Sequence, residues 1–194
     1  MKFVFAVLLV VAHVALAQNN TVWTQSGIHT NKGPGYLGQI TDHHCGPHSL
    51  MQCIYKITGI DMKEATLGEW AGTTQDGTSH EGIEAALKKF NAQYGKSLGI
   101  SWSNFHDVTQ EQIGNWMADS KSCVFFHMLY KDTWGHYELP YEITSGSDSL
   151  TVANSLGYRS GQGYEGWLEP RTWALEKEYI AGISQKSVCV IKSN

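Results

Sequence analysis

The sequence predicts an α+β domain, with a layer of helices from the first half of the chain packed on an antiparallel sheet from the second half. Three observations predict it. From Gly46 to Asp119 apolar residues recur at the spacing of a buried helical face. From Ser122 onward they fall in short unbroken or alternating runs bounded by glycines, which is the spacing of strands. Apolar residues make up 42% of the 194-residue chain and charged residues 16%, so it can fill one core and is too apolar to stay disordered.

Along the chain, Thr21 to Asp42 is rich in Gly, Asn and Thr and reads as loop, with Gly33-Pro34-Gly35 as a turn. In Gly46 to Thr58, Leu50, Met51, Ile54 and Ile57 share a face, and Gly59 stops the helix. Pro47 suits the first turn, where its missing N–H costs nothing. Cys45 therefore stands at a helix N-terminus. Asp61 to Trp70 reads as a second helix with Asp61 as its N-cap. Ser79 to Phe90 reads as a third, and Thr109 to Asp119 as a fourth with Ile113, Trp116 and Met117 inward. Ser122 to Tyr130 suits a central strand, His136 to Thr144 alternates, and Ser149 to Asn154 is a short strand. Arg171 to Ile180 reads as a helix and Lys186 to Lys192 as a closing strand.

The N-terminus carries a separate signal. Lys2 precedes an apolar run from Phe3 to Leu16, and Ala15-Leu16-Ala17 is a small-x-small cleavage pattern. Residues 1–17 read as a secretory signal peptide, and 18–194 as the mature domain. The run is shorter than the roughly 20 residues that a spanning helix needs, so no stable membrane association is expected. A net charge of -4, a pI near 6.1 and the lack of any basic run argue against nucleic acid as a partner. A secreted monomer is expected.

Four cysteines are present: Cys45, Cys53, Cys123 and Cys189. If Cys45 is a reactive thiol, at most one bridge forms among the other three, and the spacing leaves the pairing open. A helix N-terminus and a nearby imidazole both lower a thiol pKa, so Cys45 is expected to be the nucleophile and to alkylate readily below pH 8. His136 opens an alternating strand and is the expected base. Asn154 ends the next strand and would return beside His136 in a hairpin, to orient the ring. Asp148, in the turn, is the second choice for that role, and His80, at a helix start, is the rival base. Gln39, six residues before Cys45, would donate to an oxyanion. Trp134, Tyr137 and Trp167 are expected to wall a substrate groove. His44 and His48, four apart around Cys45, do not complete a zinc pattern, and no metal ligands are assigned.

Several stretches resemble a known family. Gln39 to Ser49 with its Cys45-Gly-Pro-His-Ser-Leu core is one, and Trp70-Ala-Gly-Thr-Thr74 and Gly77-Thr-Ser-His-Glu-Gly-Ile83 are others. Trp134-Gly-His-Tyr-Glu138 and Ala153-Asn-Ser-Leu-Gly157 complete the set. Together they resemble the pseudomurein endoisopeptidases, cysteine peptidases of methanogenic archaea and their viruses. That family is similar to the wider papain-like group of double-glycine-leader peptidases, where a Gln precedes the Cys and a Gly-His-Tyr strand carries the base. The resemblance implies a papain-like fold and cleavage of the ε-linked alanyl–lysine isopeptide bond in the cell-wall peptide of pseudomurein. It also implies a Cys-His-Asp triad and dependence on a divalent cation such as calcium, although the thiol chemistry itself requires no cofactor. This chain has Asn154, or else Asp148, where the wider group has Asp. Two alternatives stand beside hydrolysis: a transglutaminase-like acyl transferase, and an inactive peptide- or glycan-binding module of the same fold.

Overall fold

The computed structural model describes residues 20–31, 36–130, 134–156, 158–159, 163–181 and 187–194, with 130, 134, 158–159, 163–164 and 181 in backbone only. The signal segment 1–17 and the turn at Gly33-Pro34-Gly35 lie outside the described residues.

Three helices come first. α1 (Cys45–Thr58) is buried from Cys45 through Ile54, because it runs against the sheet under α2 (Glu64–Ala71) and α3 (His80–Tyr94). It stops where Gly59 turns left-handed at φ 68° and its N–H donates to Tyr55 O at 2.8 Å. α2 begins at Glu64 with Lys63 at the N-cap, so Asp61 is not the cap expected of it. α3 is capped by Ser79, whose Oγ accepts from Gly82 N–H at 3.1 Å. Ile54, Ile83 and Phe90 are fully buried between these helices and the sheet, and each such side chain contributes about 1.5–3 kcal/mol.

The sheet has seven strands. β1 (Val22–Thr24) pairs with the far half of β4 (Trp134–Thr144). The other strands run in the order β2 (Leu98–Ser103), β9 (Val188–Ser193), β3 (Ser122–Tyr130), β4, β5 (Ser149–Asn154), β8 (Trp167–Thr172), with every pairing antiparallel. β6 (Tyr158–Arg159) and β7 (Gly163–Tyr164) form a separate pair. α4 (Gln110–Ala118) and α5 (Trp173–Ala181) pack on β3, in a second core with Phe105, Phe126, Ile143 and Val152. The expected α+β layering is therefore present.

Among the described residues five strands were not expected: β1, in the stretch read as loop, the short β6 and β7, and β2 and β8. β2 reads Leu-Gly-Ile-Ser-Trp-Ser, with too much Gly and Ser to stand out, and it is held by pairing along all six residues with β9. β8 contains Pro170, which an edge strand tolerates, so the helix expected from Arg171 begins instead at Trp173. β4 also changes partners. It leaves β3 after Glu138, and its register on β5 shifts between Pro140 and Glu142. The buried Gln25 fills the gap, accepting Val124 N–H at 2.7 Å and donating to Val124 O and Pro140 O, each at 2.9 Å.

Cys53 on α1 is bridged to Cys123 on β3, across 70 residues of chain, while Cys45 and Cys189 carry free thiols. The bridge ties the helix that starts at Cys45 to the sheet. Closing a loop of that length stabilises the fold by roughly 4 kcal/mol on the chain-entropy estimate. A Cys53→Ser/Cys123→Ser variant is expected to unfold at a markedly lower urea concentration. An unchanged midpoint would contradict the staple.

Candidate active site

Cys45 is the first residue of α1 and opens onto a cavity of about 480 Å³, lined also by Asp42, His43, Gln75, Asp76, Gly77 and Gly135. The helix start meets β4 so closely that a Cβ on Gly46 would lie 2.9 Å from Thr78 Cβ and 3.4 Å from Tyr137 Cδ2. Only glycine allows that approach. The Tyr137, Gly46 and Cys45 N–H groups favour the ionised sulfur, Tyr137 most. Burial pushes its pKa up to about 11, and these donors offset only part of that. The low-pKa thiol expected from the helix N-terminus is therefore not the resting state, in which Cys45 is protonated at neutral pH.

His136 is 3% exposed on β4, and its Nε2 lies 3.3 Å from Asn154 Oδ1 at the end of β5. Asn154 Nδ2 donates to Glu169 Oε2 at 2.8 Å, and Leu156 N–H donates to Asn154 Oδ1 at 3.0 Å. Oδ1 is therefore the acceptor, His136 Nε2 carries the hydrogen, and Nδ1 is the basic nitrogen. Burial drives the His136 pKa down to about 3, Asn154 partly opposing and the Arg171 charge assisting, so the ring is neutral at physiological pH. Arg171 anchors this line, donating to Glu138 at 2.7 Å, Glu169 at 3.0 Å and Glu176 at 3.1 Å. His136, Asn154, Trp167, Glu169 and Arg171 border a second cavity of about 250 Å³.

Gln39 is fully buried. Its Oε1 accepts from Ser155 Oγ at 2.6 Å, its N–H donates to Ser155 O at 3.2 Å, and one amide hydrogen goes to Thr41 O at 2.5 Å. The amide carries a second hydrogen, and its plane is fixed by these bonds. Residues 154 and 155 thus hold His136 and Gln39 from one strand end, a linkage the sequence did not suggest.

The remaining expected residues fall elsewhere. His80 Nε2 lies 2.9 Å from His127 Nδ1, and its ring packs on Trp102, so it is engaged in an imidazole pair. Asp148 caps α5, accepting Ala174 N–H at 2.8 Å, and borders a different cavity with Trp23 and Trp173; it is not a partner of His136. Tyr137 is 3% exposed and donates to Thr78 O at 3.1 Å, so it is a core residue and not a groove wall. Trp167 is exposed, on the His136 side. The Trp134 side chain lies outside the described residues. Among the described residues no three His, Cys, Asp or Glu side chains are grouped to hold a metal ion, and Asp148 spends its carboxylate as a cap.

A papain-like cysteine-peptidase fold is what this helix-on-sheet arrangement defines, and solved structures share it. The peptidase domain of Streptococcus ComA, a bi-functional ABC transporter involved in a quorum-sensing pathway, matches with a TM-score of 0.50, over 86% of this chain and 100% of that one, at 18% identity. A double-glycine-motif protease from an AMS/PCAT transporter, solved with its leader peptide, matches with a TM-score of 0.51, over 90% and 99%, at 11% identity. At these identities the likeness is one of fold. No protein-family model matches the sequence, and no curated protein is similar to it.

The neutral, buried His136 carries a pH signature. Its folded pKa of about 3 lies below the ordinary 6.5, so unfolding takes up a proton at acid pH. Its contribution to stability is complete above about pH 6.5 and is lost as pH falls toward 3. His127, lowered to about 4 by burial and by His80, acts in the same direction. Urea unfolding across this range should fall less steeply in His136→Ala than in the parent. Parallel profiles would show that the ring is not buried neutral.

Proposed function

We propose that this protein is a cysteine peptidase that hydrolyses peptide or isopeptide bonds, with Cys45 as nucleophile, His136 as base, Asn154 as the orienting residue and Gln39 as oxyanion donor. The observation that carries the reading is the Asn154–His136 hydrogen bond, on the strand whose next residue, Tyr137, meets the start of α1 at Gly46. As the substrate carbonyl approaches, the thiol proton passes to His136 Nδ1 and sulfur bonds to the carbonyl carbon. The second Gln39 amide hydrogen and a backbone N–H at the start of α1 meet the oxyanion. The tetrahedral intermediate collapses as His136 gives its proton to the leaving amine, leaving a thioester on Cys45. Water, deprotonated by His136, then releases the acid and restores the thiol. Because the resting thiol and imidazole are both neutral, proton transfer accompanies attack and is not completed beforehand.

For the substrate we propose the ε-alanyl–lysine isopeptide of a pseudomurein-type wall peptide, on the strength of the motif resemblance along the chain. The double-glycine peptide of the structural neighbours is the competing probe. Secretion is proposed from the apolar N-terminal run and the small-x-small site after it. The Cys53–Cys123 bridge supports this, since disulfides persist in oxidising compartments. No helix of the described residues is long and apolar enough to cross a membrane.

Two fluorogenic peptides test the reading, one with an ε-alanyl–lysine bond and one with a Gly-Gly bond at the cleavage site. The isopeptide should be cleaved faster. Cys45→Ala should abolish cleavage, and Gln39→Ala should lower kcat by about 10²–10³-fold, the usual cost of one oxyanion donor. A Cys45→Ala protein that still cleaves would sink the assignment. Labelled free lysine should stay out of the product; its incorporation would favour the acyl-transferase alternative.

A further inference from the structure

Glu64 takes no part in the proposed reaction, yet it lies directly beside it. It opens α2 and is 3% exposed. Its Oε1 accepts the Ile40 N–H at 2.9 Å, its Oε2 meets His48 Nδ1 at 2.9 Å, and His44 Nδ1 lies 3.3 Å from Oε1. Ile40 follows Gln39 in the chain. His44 precedes Cys45, and His48 sits within the first turn of α1 after it. One carboxylate therefore joins the segment carrying the oxyanion donor to both flanks of the nucleophile.

The surroundings are arranged to keep it there. His48 is 1% exposed, and its Nε2 lies 3.3 Å from Gln52 Nε2. An amide nitrogen can only donate, so His48 Nε2 accepts and Nδ1–H donates to Glu64. Gln52 is itself fixed, accepting His29 N–H at 2.7 Å and donating to Tyr36 O. The His44 ring packs against α2 where a Cβ on Gly68 would come within 3.0 Å of its Cε1 and Nε2. Burial pushes the Glu64 carboxyl up, but the nearby His44 ring and the bonds from His48 and Ile40 outweigh it and hold the carboxyl below its ordinary range. These bonds run to the Gln39–Ile40 segment and to α1, so capping of α2 does not account for them.

We propose that Glu64 is a positioning residue that locks the Gln39–Ile40 segment in register with Cys45, so that the Gln39 amide meets the oxyanion as it forms. The proposal rests on the peptidase reading above. Glu64 touches no reacting atom; it acts through Gln39, and that makes it separable from a purely structural residue. If Glu64 works only by placing Gln39, removing Gln39 removes the reason for Glu64.

A double-mutant cycle on full-length protein tests this, with the faster-cleaved of the two fluorogenic peptides as substrate. Glu64→Ala is expected to lower kcat about 10- to 100-fold with KM within twofold, a loss below that of removing the oxyanion donor outright. In a Gln39→Ala background the same change should cost less than about twofold. Glu64→Asp keeps the charge but withdraws it from Ile40, and should show the same coupling if the alanine variant fails to fold. Glu64→Gln keeps an acceptor for Ile40 but sets an amide donor against His48 Nδ1–H, and should lower kcat less than Glu64→Ala does. Equal fold-losses in both backgrounds, or an unchanged kcat in Glu64→Ala, would overturn the proposal. A parent protein that cleaves neither peptide overturns the peptidase reading itself, a result distinct from additive losses in an active enzyme.

Discussion

Asn154 and Ser155, at the point where β5 ends, hold the two halves of the site at once. Asn154 Oδ1 accepts from His136, Ser155 Oγ donates to the Gln39 side chain, and Ser155 O accepts the Gln39 main-chain N–H. His136 belongs to the sheet, and Gln39 belongs to the loop that leads into α1. Without this junction the proposed base and the proposed oxyanion donor would be set by separate elements with no common reference. A misplacement of about 1 Å at a reacting centre can cost on the order of 100-fold in rate, so a shared anchor has functional weight. Gly46 supplies the third constraint by letting the start of α1 press on β4.

Behind the junction the polar chain continues from Asn154 to Glu169 and Arg171, and from Arg171 to Glu138 and Glu176. Three carboxylates surround one guanidinium. Burial pushes Glu138 and Glu176 above the ordinary carboxylate range, and their mutual proximity raises Glu138 further. Glu169, bonded by Arg171 and Asn154, is held below it despite burial. The Arg171 partner whose carboxyl is held below its ordinary range is thus the one that also fixes Asn154. A buried arrangement of this kind adds little net stability, because desolvation offsets its Coulombic gain, but it specifies one geometry.

Much of this was legible in the sequence. Pro47 and Gly59 mark the ends of α1, and the apolar spacing between them requires a buried helix, so Cys45 had to stand at its start. The turn near Gly146 requires a hairpin, which brings Asn154 back toward His136. The rest depends on contacts distant in sequence. Ser155 to Gln39 spans 116 residues and Gln25 to Val124 spans 99, and no local pattern encodes either. Tyr137 looked like a groove aromatic because strand alternation says nothing about which face is covered. Asp148 looked like a second choice for orienting His136, because its place in the turn does not reveal that its carboxylate accepts Ala174 N–H at the start of α5. The histidines at 44 and 48 were visible as a pair, but the carboxylate between them comes from another helix.

The central claim is that Cys45 forms a covalent acyl intermediate under the control of His136 and Gln39. Acid-quench mass spectrometry with an activated peptide ester of the cleaved sequence measures it directly. The account predicts one acyl adduct per chain, mapped to Cys45, that accumulates in the parent and is lost in Cys45→Ala. An adduct mapped to Cys189 or to another residue, or no adduct while peptide is still cleaved, would contradict it.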